Sequence, residues 1–194
     1  MNKFELFYPF KPQLITQKFG VNLEYYKKEF GVNGHNGIDF LLTSKFVRAT
    51  HNGIVTFTGE DGSGGIGVVV RTQEKFEYKS EEVYFKSIYW HLKDVFVKVN
   101  QKVEVGQILA IGDNTGKSTG PHLHFGLKPV AKGEADWQYY NFEQDNGFLG
   151  AIDPASYFNG IYCEYGRNWN LIKSLTSDLR VRIKVLVELV KLSG

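Results

Sequence analysis

The chain has 194 residues, with 23 Lys and Arg against 21 Asp and Glu, a formal charge of +2. That length suits one domain with at most an appendage, and it allows about 70% of the unfolded surface to be buried without covalent staples. At 42% apolar and 23% charged residues the chain is neither disordered nor fibrous. Its near-neutral balance lacks the basic footprint of a nucleic-acid protein, and a single Cys163 excludes an internal disulfide or a thiolate metal site.

The first ten residues, Met1 to Phe10, carry an acid and a proline where a secretory signal needs an unbroken apolar stretch, so no signal peptide is read there. No apolar run approaches the ~18 residues of a membrane-spanning helix. Val21 to Asn33, rich in Tyr, Lys and Glu, reads as an inserted loop or short helix ahead of the first histidine. From Phe46 the pattern is short strands punctuated by glycine. Phe46–Ala49 and Gly53–Phe57 are strands, and Gly59 to Gly67 is a turn or loop. Val68–Val70 follows as a buried strand, Thr72 to Glu82 lengthens a hairpin, and Tyr84 to Leu92 is its partner. Val95, Val97, Val99, Val103 and Val105 alternate with polar residues, which predicts a half-buried strand. Gln107–Ile111 is a short apolar run, Gly112 to Gly120 a second turn, and His122–Leu127 the next strand. Ala131 to Gly150 reads as a long polar, aromatic loop.

Beyond Asp153-Pro154 the character changes. From Trp169 to Leu192 there is no Gly or Pro, and apolar residues at 172, 175, 179, 183, 186 and 190 step by three or four. That stripe predicts an amphipathic helix which packs on the core or on a second copy of itself. The expected architecture is mainly β: an antiparallel sheet core with a groove, long loops and a C-terminal helix. Residues 1–158 would form the main domain, with its core at about 14–128 and an insert loop at 131–150, and 159–194 a mostly helical extension.

The five histidines concentrate the chemistry. In Gly34-His35-Asn36-Gly37-Ile38-Asp39 an imidazole and a carboxylate four residues apart can face one centre. In His122-Leu123-His124-Phe125 the two imidazoles share one face of a strand, while Leu123 and Phe125 point to the packed side. Two imidazoles on one face are costly to bury unless something binds them. Two His and one Asp would give a zinc ion three ligands and leave its fourth position open. Strand geometry alone does not say which of His122 and His124 is the ligand.

Three segments, taken together and in order, resemble the lysostaphin/LytM-type zinc metallopeptidases of family M23, which cleave peptide bonds in the bacterial cell wall. They are His35-Asn-Gly-Ile-Asp39, Tyr89-Trp-His91-Leu92, and Gly112-Asp-Asn-Thr-Gly-Lys-Ser-Thr-Gly-Pro-His122-Leu-His124-Phe. The resemblance covers roughly residues 14 to 128. It implies that His35, Asp39 and His124 bind one Zn2+ per chain, and that His91 and His122 are the catalytic histidines which hold no metal. It implies an endopeptidase acting on peptidoglycan stem peptides or cross-bridges, and hence outside the cytoplasm: in the periplasm, at the cell wall, or delivered by a phage. His51 matches no motif and reads as a surface residue, and Tyr89 as a packed strand residue without a catalytic role.

Departures from the family pattern cluster at the groove: Val21-Asn22 where an arginine often stands, the insert that follows, and Trp90 in place of a small residue. They leave the site histidines in place and bear on which bond is cleaved. The alternative of a catalytically silent binding or scaffold module of the same fold is disfavoured, because such modules usually lose a site histidine. A lipoyl- or biotinyl-type carrier shares the spacing Val103-x-Val105-Gly106-Gln107 but needs a lysine at a hairpin tip, and Lys117 lies in the wrong setting.

Overall fold

A computed structural model describes residues 3–11, 14–135 and 138–162 of the chain. In chain order the strands are β1 (Leu6–Tyr8), β2 (Ile15–Gln17), β3 (Ile38–Leu41), β4 (Phe46–Arg48), β5 (Gly53–Asp61), β6 (Gly65–Arg71) and β7 (Phe76–Tyr78). They continue with β8 (Glu81–Val95), β9 (Lys102–Val103), β10 (Ile108–Gly112), β11 (His122–Lys132), β12 (Tyr139–Asn141) and β13 (Phe158–Tyr162). The main sheet runs β2-β3-β11-β8-β6-β5-β9, with antiparallel pairing throughout. β10 joins β4 and β8 beside it, β12 extends β11, and β7 pairs with β8. β1 and β13 form a separate parallel pair. The antiparallel β expectation holds, and no helix among the described residues is long and apolar enough to cross a membrane.

Alternation along the central strands sorts the side chains. Phe85, Ser87 and Tyr89 of β8, Leu123, Phe125 and Leu127 of β11, and Ile38 and Phe40 of β3 are all buried. Against them pack residues from the edge pair and the N-terminus: Phe4 stacks on Phe85 at 4.2 Å, and Phe158 meets Phe125 at 5.5 Å. Each such aromatic contributes roughly 1.5–3 kcal/mol by leaving water. The opposite face of the same strands carries His124, Gly126 and Lys128 on β11 and Ile88 and Trp90 on β8, and these line an open groove of about 260 Å³.

Some local expectations are revised, and the insert before His35 takes the helical one of its two expected forms. The alternating valines from 95 to 105 do not make one strand. Asn100 sits at φ 68°, and the Gln101 amide donates to Lys98 O, so the chain turns there: Val95 ends β8 opposite Ala110, and Lys102–Val103 pairs separately as β9. The stretch from 131 to 150 is less of a loop than its composition implies, because β12 extends the sheet beside β11. The insert before His35 is a helix, α1 (Leu23–Phe30), ended by Gly31 at φ 69°, whose amide donates to Lys27 O. The predicted helix at 169–192, with the packing or self-association expected of it, lies outside the described residues.

Candidate metal centre

The site lies where β3, β11 and β8 run side by side. Asp39 of β3 stands directly across from His124 of β11, and His124 from Trp90 of β8. His35 enters from the segment just before β3. The 2.9 Å between His35 Nε2 and His124 Nδ1, 3.0 Å between His35 Nε2 and Asp39 Oδ1, and 3.1 Å between His124 Nδ1 and Asp39 Oδ1 close a triangle. Gly37 makes room for it: a Cβ there would come within 2.7 Å of the His124 ring and 2.6 Å of Phe125 O.

The proton positions show why this triangle is unusual. His35 Nδ1 lies 3.1 Å from Lys18 O. A carbonyl only accepts, so Nδ1 carries the proton and Nε2 presents a lone pair to the triangle. A carboxylate and an imidazole lone pair converging at 3 Å repel unless a cation lies between them. The donor set fits such an ion: tetrahedral ligands at zinc bond lengths are separated by roughly 3.3 Å. Burial by itself would raise the Asp39 carboxyl, but the facing imidazoles, His124 first and then His35, outweigh it and hold it well below the usual carboxylate range. Burial also pushes His124 down, keeping its ring neutral as a ligand must be.

His91 and His122 flank the triangle with ring centres 4.5 Å apart, and His91 lies 6.2 Å from His124. His91 Nδ1 donates to Thr115 O at 2.7 Å and His122 Nδ1 to Gly120 O at 2.8 Å. Both rings therefore aim Nε2 inward, and His122 Nε2 is 3.6 Å from Asp39 Oδ2. Burial is the main cause that lowers His91 to about 4, so it is a neutral base at neutral pH. Its position depends on an irregularity. Between the pairs Ile66–Leu92 and Val68–Tyr89, β8 has two residues, Trp90 and His91, where β6 has only Gly67. This bulge puts His91 at φ 63°, a left-handed conformation that costs about 1–2 kcal/mol. In return Trp90 and His91, adjacent in sequence, both face the groove. The Trp90 ring lies over Gly67, where a Cβ would fall 1.8 Å from it.

All five expected site residues thus meet at one place. The Lys18 carbonyl behind His35 fixes the tautomer of that ring. His51 is a correction. It is buried at 6% exposure, not on the surface, with Nδ1 donating to Asn52 O at 2.8 Å and Nε2 2.8 Å from Ser87 Oγ. Its neighbours Thr50 and Asn52 are polar, and only the pairing of β8 with β6, which brings Ser87 to it, reveals that the segment between β4 and β5 turns inward. Tyr89 is fully buried and its hydroxyl meets Thr50 and Ser87, so it is a packed strand residue as expected. The sequence did not single out the groove wall formed by Tyr25, Tyr26 and Phe30 of α1. Tyr26 packs on the His35 ring at 5.2 Å, and burial, then the charge of Asp39, raises its hydroxyl to about 12.

An antiparallel sheet whose central strands gather two imidazoles and a carboxylate, with two more imidazoles alongside, has counterparts among known proteins. The profile described as Peptidase family M23 matches residues 33–136, a span that contains all five side chains and more than half of the chain, and the chain belongs to that family. It is 34% identical over 92 residues to the DD-carboxypeptidase/endopeptidase Mpg of Neisseria meningitidis, covering 47% of this chain and 19% of that protein. It is 35% identical over 116 residues to the glycyl-glycine endopeptidase ALE-1 of Staphylococcus capitis, covering 53% of this chain and 29% of that one. The matched stretch is therefore under a third of the length of these relatives. The catalytic domain of lysostaphin from Staphylococcus simulans shares the fold at TM-score 0.53 and 24% identity, covering 74% of this chain and 90% of that one. A zinc-containing peptidase from Vibrio cholerae superposes at TM-score 0.51 and 26% identity, covering 79% and 41%.

Proposed function

We propose that this chain is a zinc-dependent endopeptidase that hydrolyses peptide bonds in bacterial peptidoglycan, in stem peptides or cross-bridges, and so acts outside the cytoplasm. The observation that carries the reading is the triangle of His35 Nε2, His124 Nδ1 and Asp39 Oδ1, all within 2.9–3.1 Å of one another, with the inward Nε2 atoms of two further histidines beside it. In this reading His35, Asp39 and His124 hold one zinc ion, which when bound acts as a Lewis acid toward water and the scissile carbonyl.

The remaining chemistry belongs to His91 and His122. With Nδ1 fixed on a backbone carbonyl, each ring keeps one tautomer, so its Nε2 can accept a proton from the attacking water and return it to the leaving amine. The same Nε2–H groups, once protonated, donate to the oxyanion that develops on the carbonyl. Trp90 and the α1 aromatics wall the groove in which the peptide lies. The relatives whose names specify a DD-endopeptidase and a glycyl-glycine endopeptidase support a peptide bond of the cell wall as the target.

The test is digestion of purified peptidoglycans of differing cross-link chemistry, with released fragments identified by mass and the metal content of the protein measured alongside. Cleavage of one class of peptide bond by protein holding about one zinc per chain is the expected result. Intact peptidoglycan of every type after incubation with zinc-loaded protein would overturn it.

A further inference from the structure

Beyond the metal-ligand triangle a row of cations runs across the sheet from Lys128, which lines the groove. Arg71 of β6 pairs across with Lys86 of β8, and Lys86 with Lys128 of β11, so three positive side chains stand abreast on one face of the sheet. Directly opposed like charges destabilise a sheet. Four exposed lysines elsewhere have a carboxylate partner: Lys75–Glu82, Lys79–Glu143, Lys93–Asp113 and Lys117–Glu29. Among the described residues none of the three cations has a carboxylate within ion-pairing distance; Asp61, across the groove from Lys128, is the acid whose field reaches it.

All three are half-buried, which adds a desolvation cost to the repulsion. Burial first, and then the neighbouring cation, lowers the ammonium groups of both lysines below their ordinary range. The Arg71 guanidinium is held between the rings of Tyr84, at 4.8 Å, and Tyr139, at 4.1 Å, and its Nη1 donates to Thr72 O. Its Nε is buried with no hydrogen-bond partner, the one such side-chain atom among the described residues. A guanidinium fixed beside two ammonium groups that have no carboxylate in ion-pairing distance is an arrangement that an anion would relieve.

The row lies along the sheet from the metal site, and Lys128 shares its cavity. Three successive rungs lead to it from the metal site: His124–Trp90, Gly126–Ile88 and Lys128–Lys86. His124, Trp90, Ile88, Gly126 and Lys128 line one continuous cavity. Four residues of strand separate His124 from Lys128, roughly 13 Å, which an extended peptide spans in about four residues.

We propose that Arg71, Lys86 and Lys128 form an anion subsite of the groove, which takes a carboxylate borne by the substrate peptide about four residues from the bond that is cleaved. This rests on the endopeptidase reading above. Two synthetic peptides, identical around the cleaved bond and differing only in Glu or Gln at that distance, test it with the zinc-loaded protein and with Lys86→Gln/Lys128→Gln. The wild type should favour the Glu peptide in kcat/KM by about tenfold or more, mainly through KM and less so in high salt. The double variant should bring the two peptides level. Its metal content and melting temperature should not fall, because repulsion has been removed, and Lys128→Met, which keeps the apolar stem, repeats the measurement with minimal change in packing.

Equal use of both peptides by the wild type, or a preference that survives in the double variant, would overturn the subsite. If neither peptide is cleaved, the peptidoglycan digestion above judges the endopeptidase reading and calorimetric binding judges the subsite alone. Tighter binding of the Glu peptide that is lost in the double variant then supports it, and indifference to Glu or Gln sinks it.

Discussion

Two groups of histidines occupy opposite faces of the same sheet, and the protein treats their ring nitrogens in opposite ways. On the core side, His51 is closed. Its Nδ1 donates to Asn52 O, its Nε2 lies 2.8 Å from Ser87 Oγ, Ser87 Oγ lies 3.1 Å from the Tyr89 hydroxyl, and that hydroxyl accepts from the Thr50 amide and lies 2.8 Å from the Thr50 hydroxyl. Every polar atom in that chain ends on protein, so the network holds β5, β6 and β8 in register and has nothing left to offer a ligand. On the groove side each of His35, His91 and His122 has one nitrogen tied to a backbone carbonyl and the other aimed at a common space. Burial lowers both His51 and His91 to about 4, so neither depth nor basicity separates the two groups. What separates them is whether the second nitrogen already has a partner.

The largest expected effects come from breaking the open group. Asp39→Ala and His124→Ala each remove one corner of the triangle and should reduce bound zinc from about one per chain to background, with hydrolysis lost altogether; metal analysis after dialysis checks this. His91→Ala and His122→Ala should instead keep the metal and lose turnover by roughly 100-fold or more, as expected when a proton-transfer group goes. Full activity in His91→Ala would remove that ring from the proposed mechanism, and loss of metal in either variant would redraw the ligand set.

The difference between the groups explains what could be read from residues alone. Glycine spacing and period-2 alternation announce strands, and His122-x-His124 announces a shared face, because both depend only on local geometry. His51 carries no such mark. Its burial follows from Ser87, which is distant in sequence and reaches it only once β8 has paired with β6. The bulge at Trp90-His91 was equally hidden. Strict alternation would place these neighbours on opposite faces, and the extra residue shows only against Gly67 on the facing strand. The cation row has the same origin: Arg71, Lys86 and Lys128 are unremarkable singly, and sheet register makes them adjacent. Motif spacing exposed the open group because its residues recur in a recognisable order, and pairing exposed the rest.

The closed group should be broken with a different signature. His51→Ala leaves Ser87 short of a partner and opens a void, for an expected loss of about 2–4 kcal/mol in urea unfolding with zinc content unchanged. Acid should act through the same residue. Burial lowers His51 from 6.5 to about 4, so as pH falls the unfolded chain takes up the proton first. The stability owed to the neutral ring is complete above about pH 6.5 and is lost as pH drops toward 4, amounting to roughly 3 kcal/mol. His91 titrates in the same direction, so the contribution of His51 is isolated by comparing wild type with His51→Gln at pH 7 and pH 4.5. The variant should lose distinctly less stability on acidification; an identical loss would mean that the closed network does not resist protonation.

The smallest effect should come from the contact that ties the groove wall to the loop behind the open group. Lys117 Nζ lies 3.7 Å from Glu29 and 5.1 Å from the Phe30 ring, both on α1, and more than half of its side chain is exposed. An ion pair so wet contributes at most about 0.5 kcal/mol, and the ring adds little at an exposed site. Yet Lys117 sits between Thr115, whose carbonyl fixes His91, and Ser118, whose hydroxyl lies 3.1 Å from His122 Nδ1. The loop is also pinned independently, by Thr115 Oγ1 donating to Leu92 O at 2.6 Å and by the Lys117 amide donating to Ser63 O. Those bonds are buried deeper than the Lys117 head group and should govern the posture of the loop. Lys117→Ala is therefore expected to change turnover by less than about threefold and stability by no more than about 0.5 kcal/mol. A tenfold fall in kcat with unchanged stability would show that α1 positions the histidine-bearing loop as well as walling the groove.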